Sequence, residues 1–106
     1  MSVIFINLFE VPADRDEIFR ALWQQVNDHM RIQPGYQGHR LHRSLADDAR
    51  YRYANVVTFE SPEAWRAAHD EGFRKLVSQP GWREFPSTPT LYEVVHAGEH
   101  AAPPFS

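Results

Sequence analysis

From Val3 to Val11 the chain is apolar on both alternations. Val3, Phe5, Phe9 and Val11, with Asn7 among them, fall on one face, and Ile4, Ile6 and Leu8 on the other. The β-branched and aromatic content predicts a strand. A small sheet with helices on one side leaves its other side wet, so a strand greasy on both faces calls for a second cover. The pattern therefore predicts a homodimer, with a partner subunit against the free face. From Asp14 the period lengthens: Ile18, Phe19, Leu22, Trp23, Val26 and Met30 recur at helical spacing. Asp14 and Glu17 read as a capping box at the start of this helix, and Pro34-Gly35 ends it.

Two further strands are expected over Tyr36–Leu45 and Tyr51–Glu60, around a turn at Asp47 and Asp48. Ser61-Pro62-Glu63 supplies a capping hydroxyl, a first-turn proline and an acid at the positive end of a dipole. In the helix that follows, Trp65, Ala68, His69, Phe73 and Leu76 lie near one face, with Gly72 as a break or kink. Pro80, Gly81, Pro86 and Pro89 mark an irregular connection, and Thr90–Ala97 reads as the last strand. The order βαββαβ predicts an α+β, ferredoxin-like antiparallel sheet with strands one and three in its middle. One domain is expected over residues 1–97, with a flexible C-terminal tail over 98–106. Asn7 and Asn55 then sit on neighbouring central strands, and on a shared face their amides would converge in one pocket.

Composition narrows the chemistry. Among 106 residues there is no cysteine, which excludes disulfides and thiolate catalysis. An aromatic fraction of 13% asks for a cavity or an interface to fill. The net charge of -3 offers no general attraction for nucleic acid or anionic lipid. No apolar run reaches the ~20 residues that span a bilayer, and no leader pattern opens the chain, so a cytoplasmic protein without membrane contact is expected. Arg40, Arg43, Arg50 and Arg52 interleave with Tyr51 and Tyr53 around the hairpin. The RNA-recognition motif shares the βαββαβ order, but Arg52-Tyr-Ala-Asn-Val lacks its glycine and stacking aromatics, so no nucleic-acid partner is expected. His39 and His42 differ by an odd number on a strand and face opposite ways. No metal site is predicted.

The candidate site residues follow from the polar groups left inside apolar stretches. A mid-strand Asn is disfavoured by propensity, which marks Asn7 and Asn55 as donors to a substrate oxygen as readily as structural amides. His69 has an unperturbed pKa of ~6.5, suited to a general base on a phenol; the plainer reading is an imidazole packed at the core's edge.

Asn7 in strand one, Pro34-Gly35-Tyr36 after helix one and Phe59-Glu-Ser-Pro-Glu-Ala-Trp65 together resemble the antibiotic biosynthesis monooxygenase domain family, over nearly everything from Val3 to Val95. The resemblance implies a dimeric α/β barrel and one of two activities. In one, polyketide anthrones and similar phenols are oxidised by O₂ without metal or flavin. There an Asn lies four residues before a Trp, with an aromatic residue early on helix two. Those positions hold Asn55, Phe59 and Trp65 here, keeping the amide and the aromatic character but neither the strand indole nor the helix phenol. In the other, haem is degraded by an Asn on strand one, a Trp on helix two and a later His; Asn7 matches, but the other positions hold Ala68 and Val77.

The reading that results is a monooxygenase acting on a small electron-rich aromatic substrate with O₂ and no cofactor. Asn55 and His69 are its catalytic candidates; Asn7, Phe9, Trp23, Phe59 and Trp65 its substrate-binding candidates. The alternatives are a non-oxidative ligand-binding or cyclase-like protein on the same scaffold, and a haem-binding or haem-degrading one.

Overall fold

The computed structural model describes residues 1–104. Its elements are β1 (Val3–Phe9), α1 (Asp16–Met30), β2 (Tyr36–Arg43), β3 (Tyr53–Phe59), α2 (Pro62–Ala68), α3 (Glu71–Val77) and β4 (Ser87–Tyr92), with 3-10 turns at Ala13–Arg15 and Pro80–Glu84. The strands form one antiparallel sheet ordered β2-β3-β1-β4. The two most apolar strands therefore sit in the middle, as expected. Residues 98–104 carry no helix or strand, and the last two residues of the expected tail lie outside the described residues.

Several boundaries differ from expectation, each for a local reason. Asp14 does not cap α1: it lies inside the 3-10 turn, whose Arg15 N–H bonds the Pro12 carbonyl at 2.9 Å, and α1 starts at Asp16 without a side-chain cap. Asp16 turns to Arg52 instead, in a two-pronged ion pair at 2.8 and 2.9 Å that holds its carboxyl down to about 2. β2 stops at Arg43, because the Ser44 hydroxyl accepts from the Ala46 N–H and starts a turn that leaves Leu45 fully exposed. β3 correspondingly begins at Tyr53 rather than Tyr51. β4 begins at Ser87, earlier than expected, and ends at Tyr92, where it meets Ile4 near the start of β1. It tolerates Pro89 because it is an edge strand.

The expected second helix is two. The Ser61 side chain caps α2 by accepting from Ala64 N at 3.0 Å, as its sequence foretold. The chain then leaves helical geometry at His69 and restarts at Asp70, which caps α3 by accepting from Phe73 N at 2.9 Å. Gly72 is thus not the break; it lies in the first turn of α3. A Cβ there would come 2.6 Å from the His29 ring, so a side chain at this position would push that ring aside.

All the helices pack on the face of the sheet that carries Val3, Phe5, Phe9, Tyr53, Val57 and Phe59. The core on this face is divided. One cluster gathers Phe9, Phe19, Trp23, Tyr53 and Phe85; the other gathers Val3, Met30, Val57, Phe59 and Ala68. On β1 and β3 the residues between the clusters are Asn7 and Asn55. The opposite face presents Ile4, Ile6, Leu8, Ala54 and Val56, half-buried and outside both clusters.

Candidate active site

Register sets the geometry of the site. Asn7 and Asn55 are direct cross-strand partners in the β1–β3 pairing. Directly opposed residues have Cβ atoms about 5 Å apart and share a face, so the two carboxamides stand side by side. They open into a cavity of about 480 Å³ between sheet and helices. Phe9 and Trp23 line it from one core cluster; Phe59 and Trp65 line it from the other, and His69 completes the set. The structure therefore brings every sequence-predicted candidate to one space, with the amide pair at its waist.

Four polar atoms of this space lack internal partners. Asn7 Oδ1, Asn55 Oδ1, Trp65 Nε1 and Trp82 Nε1 are buried without a hydrogen bond among the described residues. Each such group costs about 1–3 kcal/mol while unmatched. A carboxamide can exchange its oxygen and its NH₂ by a half-turn of its side chain, so both asparagines can present donors to a ligand. A cavity walled by Phe5, Val57, Phe73 and Phe85, with a few unmatched donors, suits a flat aromatic ligand bearing oxygen.

His69 sits in an aromatic box. Its ring centroid lies 4.6 Å from those of Trp65 and Phe73 and 5.7 Å from that of Phe5. The end of α2 fixes its tautomer. There the His69 backbone N–H bonds the Arg66 carbonyl, and the Trp65 carbonyl receives His69 Nδ1 at 2.6 Å. A carbonyl only accepts, so Nδ1 carries the hydrogen and Nε2 keeps its lone pair. Burial lowers the imidazole pKa from its ordinary value, against smaller opposing effects of the Trp65 carbonyl and Asp70. His69 is thus neutral at pH 7 with a free basic nitrogen.

A second polar group was not foreseen as such. The Tyr36 hydroxyl meets His39 Nδ1 at 2.6 Å and donates to Asn27 Oδ1 at 3.2 Å. Burial pushes the phenol up to about 12, so it stays protonated. Asn27 is 5% exposed, and both it and Tyr36 line the cavity. Asn27 interrupts the apolar face of α1 four residues after Trp23, a signal present in the sequence. Trp82, also a lining residue, was hidden in a Pro/Gly-rich connection that gives no periodicity. His29 lies beside the cavity wall rather than on it: its Nε2 meets Asp70 Oδ1 at 2.8 Å and ties α1 to the start of α3.

Outside the cavity, three of the hairpin arginines are paired: Arg52 and Arg43 with Asp16, and Arg50 with Glu10. Among the described residues no helix is long and apolar enough to cross a membrane.

Comparison with known proteins agrees with this architecture. No curated protein matches the chain. A protein of Shewanella loihica PV-4 assigned as a monooxygenase shares 31% identity over 91% of this chain and 96% of its own, with a TM-score of 0.74. SnoaB, a cofactor-independent oxygenase from Streptomyces nogalater, is 24% identical over 91% and 95% of the two chains, TM-score 0.73, a likeness of fold. The heme-degrading protein Rv3592 from Mycobacterium tuberculosis is 25% identical over 93% and 100%, TM-score 0.63. The family model described as antibiotic biosynthesis monooxygenase matches residues 2–85. With most of its length covered by that model, the chain belongs to the antibiotic biosynthesis monooxygenase family.

Proposed function

We propose that this protein oxygenates a small, electron-rich aromatic of the anthrone or phenol type with O₂, using no cofactor. The observation that carries the reading is the opposed pair Asn7 and Asn55, facing an apolar cavity that also holds a neutral histidine with a free Nε2. His69 takes a proton from the ring CH₂ of an anthrone, and the carbonyl oxygen becomes an enolate oxygen held by the carboxamide N–H groups. The carbanion is itself the reductant. It passes one electron to O₂, and the two radicals join in a C–O bond to give a peroxide anion, which takes a proton back from His69. Loss of water from that hydroperoxide, its remaining C–H hydrogen leaving with OH, gives the ketone. The sum is CH₂ + O₂ → C=O + H₂O, and the imidazole ends neutral.

The haem-degrading reading has less support, since Ala68 and Val77 stand where that activity requires a Trp and a His. The ring-closing alternative uses the same cavity without oxygen, and an oxygen electrode separates the two: uptake tied to loss of an added anthrone supports the oxygenase, and turnover without uptake refutes it.

The role of His69 sets a pH dependence. Only the neutral ring is a base, and burial places its protonation below the ordinary ~6.5. The rate kcat/KM is therefore expected to fall on the acid side, tenfold per unit once the ring is mostly protonated, with the midpoint of the fall below the ordinary ~6.5. His69→Phe keeps the aromatic packing and should lose about 10²–10⁴ in rate, along with that acid limb. A limb that survives in His69→Phe places the base elsewhere.

The working unit in this reading is a homodimer. Ile4, Ile6, Leu8, Ala54 and Val56 form a continuous apolar stripe on the sheet face without helices, which a second copy of that face would cover. Ile6→Lys together with Val56→Lys should convert the sedimenting species from two chains to one; a wild-type monomer at micromolar concentration defeats the idea.

A further inference from the structure

Apart from the amide pair, the cavity has a second hydrogen-bonding point. The Tyr36 hydroxyl donates to Asn27 Oδ1 at a long 3.2 Å, which commits its only hydrogen. His39 Nδ1, 2.6 Å away, must then carry a hydrogen of its own and donate to the phenolic oxygen. A phenol that accepts a short bond becomes a better donor, because the bonds polarise one another. Its present acceptor is held loosely and is easily replaced. Asn27 comes from α1, and Tyr36 and His39 from β2, so the group is assembled by the packing of helix on sheet and not by one segment.

We infer that Tyr36, backed by His39, is a specificity-determining residue that binds a second oxygen of the aromatic substrate, at the end of the molecule away from the reacting ring. Register gives the spacing. Leu41 is level with Asn55 and His39 with Val57, so the phenolic hydroxyl beside His39 lies about two residues (~7 Å) along the strands and one strand (~5 Å) across from Asn55, roughly 9 Å in all, with Asn7 one strand further. That separation fits oxygens at opposite ends of two fused rings. Between the two points the cavity offers Val26, Met30, Val57 and Phe59, which suit the hydrocarbon part. The oxygen bound by Tyr36 must be an acceptor, a ring hydroxyl or ketone, since the phenol is a donor there.

This inference rests on the reading of the cavity as an aromatic-oxygen site, and the test separates the two. Wild-type protein and Tyr36→Phe are titrated anaerobically by calorimetry with 2-naphthol and with 2,6-dihydroxynaphthalene. The phenylalanine ring keeps the edge-on packing against Phe59, centroids 5.5 Å apart. Wild type should prefer the diol by about 3–10-fold, the range of one neutral hydrogen bond. In Tyr36→Phe that preference should vanish while 2-naphthol binds as before. His39→Leu, which keeps the phenol and removes the donor behind it, should leave an intermediate preference. If 2-naphthol binds but the diol is not preferred, or the preference survives in Tyr36→Phe, the role of Tyr36 is overturned and the aromatic reading stands. If neither compound binds, both fall together.

Discussion

Asn55→Ala is expected to slow oxygen uptake with an anthrone by about 10²–10³-fold while the folded protein becomes no less stable. The rate loss follows from removing a donor aimed at the oxygen on which charge develops, an effect worth about 2.7–4 kcal/mol in comparable sites. The stability follows from the opposite side of the same fact. Asn55 Oδ1 is buried without a partner, so its removal relieves a desolvation cost that nothing in the resting chain offsets. Asn55→Asp should be at least as damaging to rate, because it keeps the shape, deletes the N–H donors and sets a negative charge beside an enolate. The measurement is a pair of curves for each variant, oxygen consumption against substrate and unfolding against urea. If Asn55→Ala consumes oxygen at the wild-type rate, the amide has no part in the chemistry. If it loses rate and several kcal/mol of stability together, the amide is structural.

The second large effect concerns Gly35, remote from the chemistry in sequence. Its φ of +84° lies in the left-handed region, and a Cβ added there would stand 2.5 Å from Ala64 Cβ and 3.0 Å from Glu60 Cγ. Its carbonyl also accepts the Glu60 N–H at 2.8 Å, so it pins the end of β3 and the start of α2. Gly35→Ala should cost about 2–4 kcal/mol, combining backbone strain with overpacking. Ala64 is rigid and cannot yield without moving α2, so Trp65 would move with it and its fluorescence should shift. Adding Ala64→Gly is expected to recover the steric part and leave the strain. A Gly35→Ala protein within 0.5 kcal/mol of wild type on chemical unfolding would show that the turn is not as tight as drawn.

The parts of this molecule that were legible in the sequence share a physical cause. The doubly apolar run around Ile4 to Leu8 can only be a central strand, and the Ser61-Pro62-Glu63 start needs nothing beyond local chemistry. Asn7 and Asn55 stood out because polar side chains interrupt otherwise apolar strands. Their direct opposition was not legible, since register depends on how β1 and β3 slide past each other. The break at His69 was also hidden. It is made by the Asp70 side chain capping α3 and taking a bond from His29, a residue 41 positions earlier. The β4 boundary went astray because Pro89 looks like a breaker until one knows that its strand lies at an edge. Asp14 looked like a cap, and only the ion pair between Asp16 and Arg52 shows why the acidic residues there serve another purpose.

The place where α2 stops has a further consequence. The acceptor behind His69 is the peptide oxygen of Trp65, an uncharged group, while the nearest carboxylate, Asp70, is occupied by His29 and the Phe73 amide. A histidine backed by a carboxylate holds an acquired proton comfortably; this one does not. In the oxygenation proposed above, burial makes its imidazolium a stronger acid than an ordinary one, so it would hand its proton to the nascent peroxide and reset the base for the next turnover. A helix ending one turn later would have left that peptide oxygen engaged and the ring free to spin.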